Sequence, residues 1–277
     1  MQHTEGKFTG RNNFNLYLQA WLPDTAPRAI LLVVHGIAEH SGRYTNLVNY
    51  FVPKGYAVYY FDLRGHGKSD GKRSYVERFS YYLDDLQTFY NLVRTENPNT
   101  KIFMVGHSMG STIAVDYALA HQNEMNGLII SGTTLKAGSS INQATILMAK
   151  ILSVILPKMG VSALDASGIS RDKAVVEAYV KDPLNYTGKL SARVGAELLK
   201  TMAMLQKRLA EITLPILIMQ GSQDRISDPA SSKMLFDGVS SKDKTMKIYE
   251  GYYHEIFNDP ERQQVFTDME AWLNARL

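Results

Sequence analysis

The chain has 277 residues, 45% of them hydrophobic, and a formal net charge of +3 at pH 7. This length suits one large α/β domain with an insertion, and the apolar content is sufficient for a buried core. The small net charge and the lack of a Lys or Arg run give no support for a nucleic-acid partner. Because the sequence has no cysteine, disulfides and thiolate metal sites are excluded, which is compatible with a reducing compartment.

The N-terminal residues MQHTEGKFTGRNN lack the apolar h-region of a signal peptide. No segment reaches the ~18 consecutive apolar residues that a membrane span requires. We therefore expect a cytoplasmic protein, with peripheral association at a membrane as the open alternative. The sequence does not indicate an oligomeric state.

Short apolar runs and helical patterns alternate along the chain. Residues 14–22 alternate apolar and polar side chains as an early antiparallel strand should, and residues 79–95 and 260–277 have helical spacing. Further strand-like apolar runs occur near residues 29, 56, 102, 127, 215 and 246. This alternation predicts a mostly parallel, doubly wound sheet with helices on both faces, and such sheets bind ligands at the carboxyl ends of their strands.

Two loops follow the early strands. His35 and Gly36 end the run near residue 29, and taken alone they are typical of a plain strand-to-loop turn. Residues 62–69 (DLRGHGKS) combine glycines with charged side chains, which suits a tight, hydrogen-bonded turn. We interpret this second loop as structural.

The most informative segment is IFMVGHSMG, residues 102–110. An apolar strand runs into a turn centred on Ser108, and an amphipathic helical run follows it. This strand-turn-helix context, with Gly106 and Gly110 two residues to either side, is that of a nucleophile elbow. The glycines leave room for a strained backbone that lifts the serine hydroxyl to the carboxyl end of the sheet. Ser108 is therefore the predicted nucleophile.

Residues 135–209 interrupt the alternation with an extended helical insertion. We expect this segment to be a cap over the active site, inserted into a core of residues 1–134 and 210–277. Its opening run, residues 141–156, is apolar nearly all round, so it must be buried or must meet an apolar partner. Two interpretations remain. The run is either a helix packed on its neighbours or a lid that lines an acyl tunnel and touches lipid.

A serine on an elbow needs an acid and a base that follow it in the order Ser, Asp or Glu, His. Five of the seven histidines precede Ser108, and His121 lies on the helix that leads away from it, so His254 is the predicted base. Asp224, in the turn after the strand near residue 215, is the predicted acid because it can orient the imidazole. Asp228 is the runner-up; since Asp before Pro is a helix start signal, it more readily caps the next helix.

An oxyanion hole completes the predicted machinery, because two backbone N–H groups stabilise the charge that develops on the attacked carbonyl oxygen. Met109, directly after the nucleophile, is one predicted donor. Ile37, in the loop after the early strand, is the other.

Five segments together carry a family resemblance: HGIAEHSGRY (35–44), FDLRGHGKSDG (61–71), GHSMGS (106–111), GSQDRISDP (221–229) and KTMKIYEGYYHEIFND (244–259). They resemble the monoacylglycerol lipase and lysophospholipase branch of the α/β-hydrolases, with its serine aminopeptidase S33-type domain. The resemblance implies the α/β-hydrolase fold, a mostly parallel, doubly wound, eight-stranded sheet with a helical cap insertion. It gives the same triad and oxyanion residues, and it places Glu39 and Arg43 where the family shapes a pocket for a glycerol-like head group. An ion pair between Glu39 and Arg43 is the alternative.

Two departures from the family pattern concern the pocket. Ser111 stands where the family often has Gly, and Ile37 where it has small residues. We expect both to narrow the pocket.

We therefore predict a serine ester hydrolase that cleaves monoacylglycerols or similar single-chain glycerolipid esters, with no metal or organic cofactor. A lysophospholipase or a short-chain carboxylesterase on the same triad remains open. So do an aminopeptidase of the related branch and a non-catalytic receptor on a hydrolase scaffold. The expected partner is a small lipid or ester, with transient contact of the cap with a membrane or micelle surface.

Overall fold

The computed structural model describes residues 1–136 and 143–277, without the side chains of Gln143 and Thr145. Its centre is an eight-stranded sheet in the order β1-β2-β4-β3-β5-β6-β9-β10. In chain order the ten strands are β1 (Gln2–Thr9), β2 (Asn15–Leu22), β3 (Ala29–Val34), β4 (Tyr56–Phe61), β5 (Ile102–His107), β6 (Gly127–Ser131), β7 (Gly160–Ala163), β8 (Lys189–Ser191), β9 (Ile216–Gly221) and β10 (Lys244–Tyr249). Only the β1–β2 and β2–β4 pairs of this sheet are antiparallel. The predicted fold class is confirmed.

Helices cover both faces of the sheet. The eight helices of the described residues are α1 (Thr45–Phe51), α2 (Ser80–Glu96), α3 (Met109–His121), α4 (Gln143–Ile155), α5 (Lys173–Lys181), α6 (Ala192–Leu205), α7 (Ala230–Gly238) and α8 (Arg262–Asn274). Successive strand residues point to opposite faces, so Leu32 of β3 packs in one apolar cluster with Ile113 of α3, whereas Leu31 packs in the other with Leu273 of α8. The sheet is therefore buried on both sides, as a parallel sheet requires.

The strand β1 was not among the strands predicted from the sequence. Its residues are mostly exposed, and Phe8 is its only buried side chain, so it lacks the apolar alternation that marks a half-buried strand. All eight of its residues pair with β2, from Gln2 opposite Leu22 to Thr9 opposite Asn15. Pairing with β2, rather than burial, defines this strand.

The segment predicted to be a cap stands apart from the eight-stranded sheet. It contains α4, α5 and α6, as expected for a helical insertion, but also the antiparallel pair β7–β8, which the sequence did not predict. Residues 137–142, which include the start of the predicted apolar run, lie outside the described residues. The rest of that run forms α4, which packs against α6.

The helix α4 exposes much of its apolar surface. The exposed fractions are 59% for Leu147, 72% for Val154 and 68% for Ile155, whereas Ser153 is buried. The polar side chain is thus inside and apolar side chains are outside, the reverse of the usual pattern. Within the described residues, no helix has the length and apolar character needed to cross a membrane.

Candidate active site

The predicted nucleophile lies in a strained turn between β5 and α3. Ser108 has φ 53° and ψ −124°, a conformation that L-residues rarely adopt and that occurs mainly at functional sites. Its N–H donates to the carbonyl oxygen of Ser131 at 3.0 Å. A Cβ at position 106 would lie 2.6 Å from the Gly110 carbonyl oxygen, and one at position 110 would overlap the Val34 carbonyl oxygen. Both flanking glycines are therefore required by close backbone approach.

The predicted acid and base meet at the same edge of the sheet. Asp224 follows β9, His254 follows β10, and His254 Nδ1 lies 2.7 Å from Asp224 Oδ2. The other carboxylate oxygen, Oδ1, accepts the N–H groups of Ile226 at 2.8 Å and Ser227 at 2.9 Å. Exposed fractions are only 7% for Ser108, 8% for Asp224 and 3% for His254. All three side chains are thus buried, and Asp224 is held by its hydrogen bonds.

Neighbouring charges and hydrogen bonds favour the ionised form of Asp224 and raise the basicity of His254. Burial acts to raise the pKa of Asp224, but His254 and the amides of Ser227 and Ile226 outweigh it, so the pKa lies below its ordinary value. Burial acts to lower the pKa of His254, but the Asp224 carboxylate outweighs it, so the pKa lies above its ordinary value. An ionised acid beside a basic imidazole is the arrangement a proton-accepting histidine needs.

Ser108 and His254 both line one small cavity. Its walls are formed by Ile37, Glu39, His107, Ser108, Leu164, Ile169, Tyr179, His254 and Glu255, and its volume is about 10 Å³. This is about the space that one water occupies. Leu164, Ile169 and Tyr179 come from the segment predicted to be a cap, so that segment closes the cavity over the nucleophile.

Of the two predicted oxyanion donors, Ile37 lines this cavity and Met109 directly follows the lining residue Ser108. Met109 is the first residue of α3, so its N–H has no acceptor inside the helix. Ile37 lines the cavity in the loop after β3, and the next residue, Ala38, has φ 65°. The carbonyl oxygen of Ala38 accepts the Tyr179 hydroxyl at 2.9 Å and the Tyr186 N–H at 3.0 Å. This loop is therefore held in place by residues of the predicted cap.

The predicted head-group residues occupy different positions. Glu39 lines the cavity, and its Oε1 accepts the Gly36 N–H at 2.6 Å and the Tyr44 hydroxyl at 2.9 Å. Burial first, and then the charge of Glu255, raises the pKa of Glu39 to about 7. Arg43 is not among the lining residues.

Arg43 lies between two buried carboxylates. Its Nε is 3.4 Å from Glu39 Oε2, and a terminal guanidinium nitrogen donates to Glu255 Oε2 at 2.5 Å. The guanidinium also lies over the Tyr179 ring, 4.7 Å from the ring centre. The ion pair that the sequence left as an alternative is thus present, and it forms part of a larger buried cluster.

Five of the nine lining residues were not predicted from the sequence: His107, Leu164, Ile169, Tyr179 and Glu255. Glu255 stands directly after His254, and this position was a signal that could have identified it. Tyr179 reaches the cavity from α5, 71 positions after Ser108 in the chain, and nothing in the sequence near it indicates this contact.

Other sequence interpretations have clear structural outcomes. Asp228 accepts the Ala230 N–H at 2.9 Å at the start of α7, so it caps that helix. Asp62 accepts the N–H groups of Ser41 and Lys68 at 2.8 and 2.7 Å, which agrees with a structural loop. Ser111 is buried, and its hydroxyl accepts the Thr134 N–H at 2.9 Å; it does not line the catalytic cavity, so the expectation that it narrows the pocket is wrong.

Potential metal ligands are not clustered. No group of three or more His, Asp or Glu side chains in a metal-binding arrangement occurs among the residues that the structure describes.

Comparisons with known proteins cover nearly the whole chain. A protein-family model described as "Serine aminopeptidase, S33" matches residues 25–261. A monoacylglycerol lipase of Mycolicibacterium smegmatis is 35% identical over 99% of this chain and 98% of its own length. The phospholipase YtpA of Bacillus subtilis is 35% identical over 91% of this chain and 97% of its own. Among solved structures, a soluble variant of the Saccharomyces cerevisiae monoglyceride lipase in complex with a substrate analogue superimposes with a TM-score of 0.88 at 28% identity, covering 99% of this chain and 94% of that one.

Proposed function

Because the chain belongs to the serine aminopeptidase S33 family, we propose that it is a serine ester hydrolase whose substrates are monoacylglycerols. The observation that carries this proposal is the mixed lining of the cavity at the predicted nucleophile. The lining combines the carboxylates of Glu39 and Glu255 with the apolar side chains of Leu164 and Ile169. A single-chain glycerolipid likewise has a polar end and an apolar end. The lipase relatives support this substrate class.

The proposed reaction uses Ser108 as nucleophile, His254 as base and Asp224 as acid. Ser108 attacks the ester carbonyl carbon while His254 accepts the hydroxyl proton, and Asp224 stabilises the imidazolium that forms. The N–H groups of Ile37 and Met109 hold the oxyanion. His254 then protonates the leaving glycerol, which leaves an acyl ester on Ser108. A water, deprotonated by His254, attacks this ester, and His254 returns the proton to the Ser108 oxygen as the ester bond breaks and the fatty acid leaves.

The two ends of the substrate bind to different parts of the protein. The glycerol hydroxyls donate to Glu39, which Arg43 holds through their ion pair. The acyl chain extends beneath Leu164 and Ile169. Binding of both ends aligns the ester carbonyl with Ser108, which is how remote contacts lower the barrier at the reacting centre.

A cap of residues 135–209, on a core of residues 1–134 and 210–277, must move for substrate to enter. A cavity of about 10 Å³ holds one water, and a monoacylglycerol is many times larger. The apolar side chains that α4 exposes, among them Leu147, Val154 and Ile155, form a surface of the kind that contacts lipid. We infer that α4 touches a membrane or micelle surface when the cap opens, which would make the protein peripheral to a membrane during catalysis.

The substrate class is tested by hydrolysis of monoolein, a lysophosphatidylcholine and p-nitrophenyl esters from acetate to palmitate, with Ser108→Ala as the blank. We expect the highest kcat/KM with monoolein and a preference for medium or long acyl chains. Preference for the lysophospholipid would favour a phospholipase, as in the Bacillus subtilis relative. Activity confined to acetate and butyrate would contradict a lipid substrate.

A further inference from the structure

Gln220, near the end of β9, is a buried polar residue to which the mechanism above gives no role. Its side chain is completely buried. Its Nε2 donates to Asp224 Oδ2 at 2.8 Å and to the Gly221 carbonyl oxygen at 3.2 Å. Its Oε1 accepts the Thr133 N–H at 3.2 Å and lies 2.9 Å from the Ser232 hydroxyl. Every hydrogen-bonding position of this amide is therefore occupied within the protein.

The neighbours of Gln220 allow only one orientation of its amide. On the Nε2 side are a carboxylate oxygen and a carbonyl oxygen, which can only accept. On the Oε1 side is the backbone N–H of Thr133, which can only donate. A flipped amide would place oxygen against oxygen and N–H against N–H, so its direction is fixed by its surroundings.

Gln220 and the catalytic base bind the same oxygen. Asp224 Oδ2 accepts both Gln220 Nε2 at 2.8 Å and His254 Nδ1 at 2.7 Å, while Oδ1 accepts two backbone N–H groups. With two donors on each oxygen, the carboxylate cannot rotate without breaking a bond. The hydrogen bond from Gln220 also polarises Oδ2, so this oxygen stabilises the protonated His254 imidazole less than it would without Gln220.

We propose that Gln220 is a positioning residue. It fixes the plane of the Asp224 carboxylate, and because it shares Oδ2 with His254 it alters the basicity of the His254 imidazole. The proposal rests on Asp224 and His254 acting as the acid and base of the proposed function. Gln220 is not among the residues that line the catalytic cavity, so it acts on the triad and not on substrate binding. Its loss therefore alters kcat and the pH profile, and leaves KM nearly unchanged.

The sharpest variant is Gln220→Glu, with Gln223→Glu as its matched control. The new side chain keeps an oxygen for Thr133 and Ser232, but it replaces the N–H donor with a second carboxyl oxygen against Asp224. Two carboxyls at this distance either share a proton, which takes negative charge from Asp224 Oδ2 and destabilises protonated His254, or both ionise, which adds negative charge and stabilises it. In either case we expect the acid limb of kcat/KM to move about one pH unit away from that of the wild type. Gln223 lies three residues further along the chain, in the loop after β9, and is exposed, so its variant keeps the wild-type limb.

A neutral variant separates positioning from charge. In Gln220→Leu we expect kcat to fall about tenfold with KM within about twofold of wild type. Gln223→Leu is its control and keeps both values. All rates use p-nitrophenyl butyrate and are normalised by active-site titration with a fluorophosphonate, so that misfolded protein does not count as lost activity.

Several results would overturn the proposal. If folded Gln220→Glu has the acid limb of wild type, or if normalised kcat of Gln220→Leu equals wild type, then Gln220 has only a structural role. Should neither variant fold, Ser232→Ala keeps Gln220 but removes the hydroxyl beside its Oε1, and we expect kcat to fall about twofold to threefold at unchanged KM; an unchanged kcat refutes positioning. Failure of the wild type on monoolein would refute the substrate proposal alone, because this comparison uses a different ester.

Discussion

The sheet edge that carries the predicted triad and the helix α4 of the predicted cap bury opposite kinds of side chain. At the edge, the carboxylate of Asp224 is buried and accepts hydrogen bonds from four donors. In α4, apolar side chains such as Val154 and Ile155 are exposed. A buried carboxylate with four donors is held in place, whereas exposed apolar surface is typical of a site that meets a partner. The predicted acid is therefore fixed by bonds within the molecule, and α4 is the part suited to contact outside it.

The largest expected effect comes from removing the nucleophile. Ser108→Ala should lower kcat/KM for any ester by a factor of about 10⁴ to 10⁶, because the covalent route is lost. The measurement is hydrolysis of p-nitrophenyl butyrate and monoolein together with fluorophosphonate labelling, which should disappear. Ser111→Ala, which alters a serine that does not line the cavity, is the matched control and should stay labelled. Retained turnover in Ser108→Ala would refute the proposed triad.

The acid can be distinguished from its sequence neighbour by paired substitutions. Asp224→Asn should lower kcat about 10⁴-fold, since the amide no longer stabilises the imidazolium. Asp228→Asn should leave kcat within about twofold and change only the cap of α7 and the ion pair with Lys136, with about 1 kcal/mol of stability lost. Both are measured by ester hydrolysis and thermal unfolding. A large loss of kcat in Asp228→Asn alone would reverse the assignment of the acid.

The exposed face of α4 can be tested independently of the triad. Val154→Gln combined with Ile155→Gln should lower activity on monoolein presented in micelles or vesicles about threefold to tenfold, because less apolar area meets the lipid. Activity on dissolved p-nitrophenyl butyrate should not change. Ile248→Gln, at a 48% exposed position on β10, is the control. Equal losses on both substrates would show that α4 contributes to folding or to the pocket and not to lipid contact.

A smaller effect is expected in the pH profile of the wild type. Turnover requires neutral His254, whose pKa lies above the ordinary 6.5 because the Asp224 carboxylate outweighs burial. The kcat/KM should therefore rise with pH through a limb above 6.5. The same shift adds stability that is fully present below about pH 6.5 and is lost as pH rises through the folded-state pKa. Rates and chemical denaturation across pH 5–9 check both statements, and a limb at or below 6.5 would contradict the first.

The candidate site was predictable from the sequence where the signal was local. Ser108 carries its own context of strand, glycines and helix, and the few histidines after it leave His254 as the one suitable base. The structure brings the predicted acid and base into contact at 2.7 Å. Glu255 stands directly after His254, a local signal that was not used, whereas Tyr179 belongs to a helix far from the predicted triad in sequence.

The fold shows the same division. Buried strands such as β3 are apolar throughout, and β5 is apolar up to Val105, so their sequences identify them. The strands β1 and β7 are mostly exposed, and β8 has only three residues; all three strands have almost no apolar pattern. Their hydrogen-bonded partners define them, and pairing between distant segments leaves little trace in the sequence.

The carbonyl oxygen of Ala38 joins the loop that carries Ile37 to residues of the predicted cap. Two hydrogen bonds join it to Tyr179 and Tyr186, and each contributes about 1 kcal/mol. A motion that lifts the α5 side of the cap must break both and release the loop that carries Ile37. A motion of α4 alone leaves them intact. We therefore expect the α5 side of the predicted cap to stay in place and α4 to be the part that moves, so that a single-chain lipid would reach Ser108 from the α4 side.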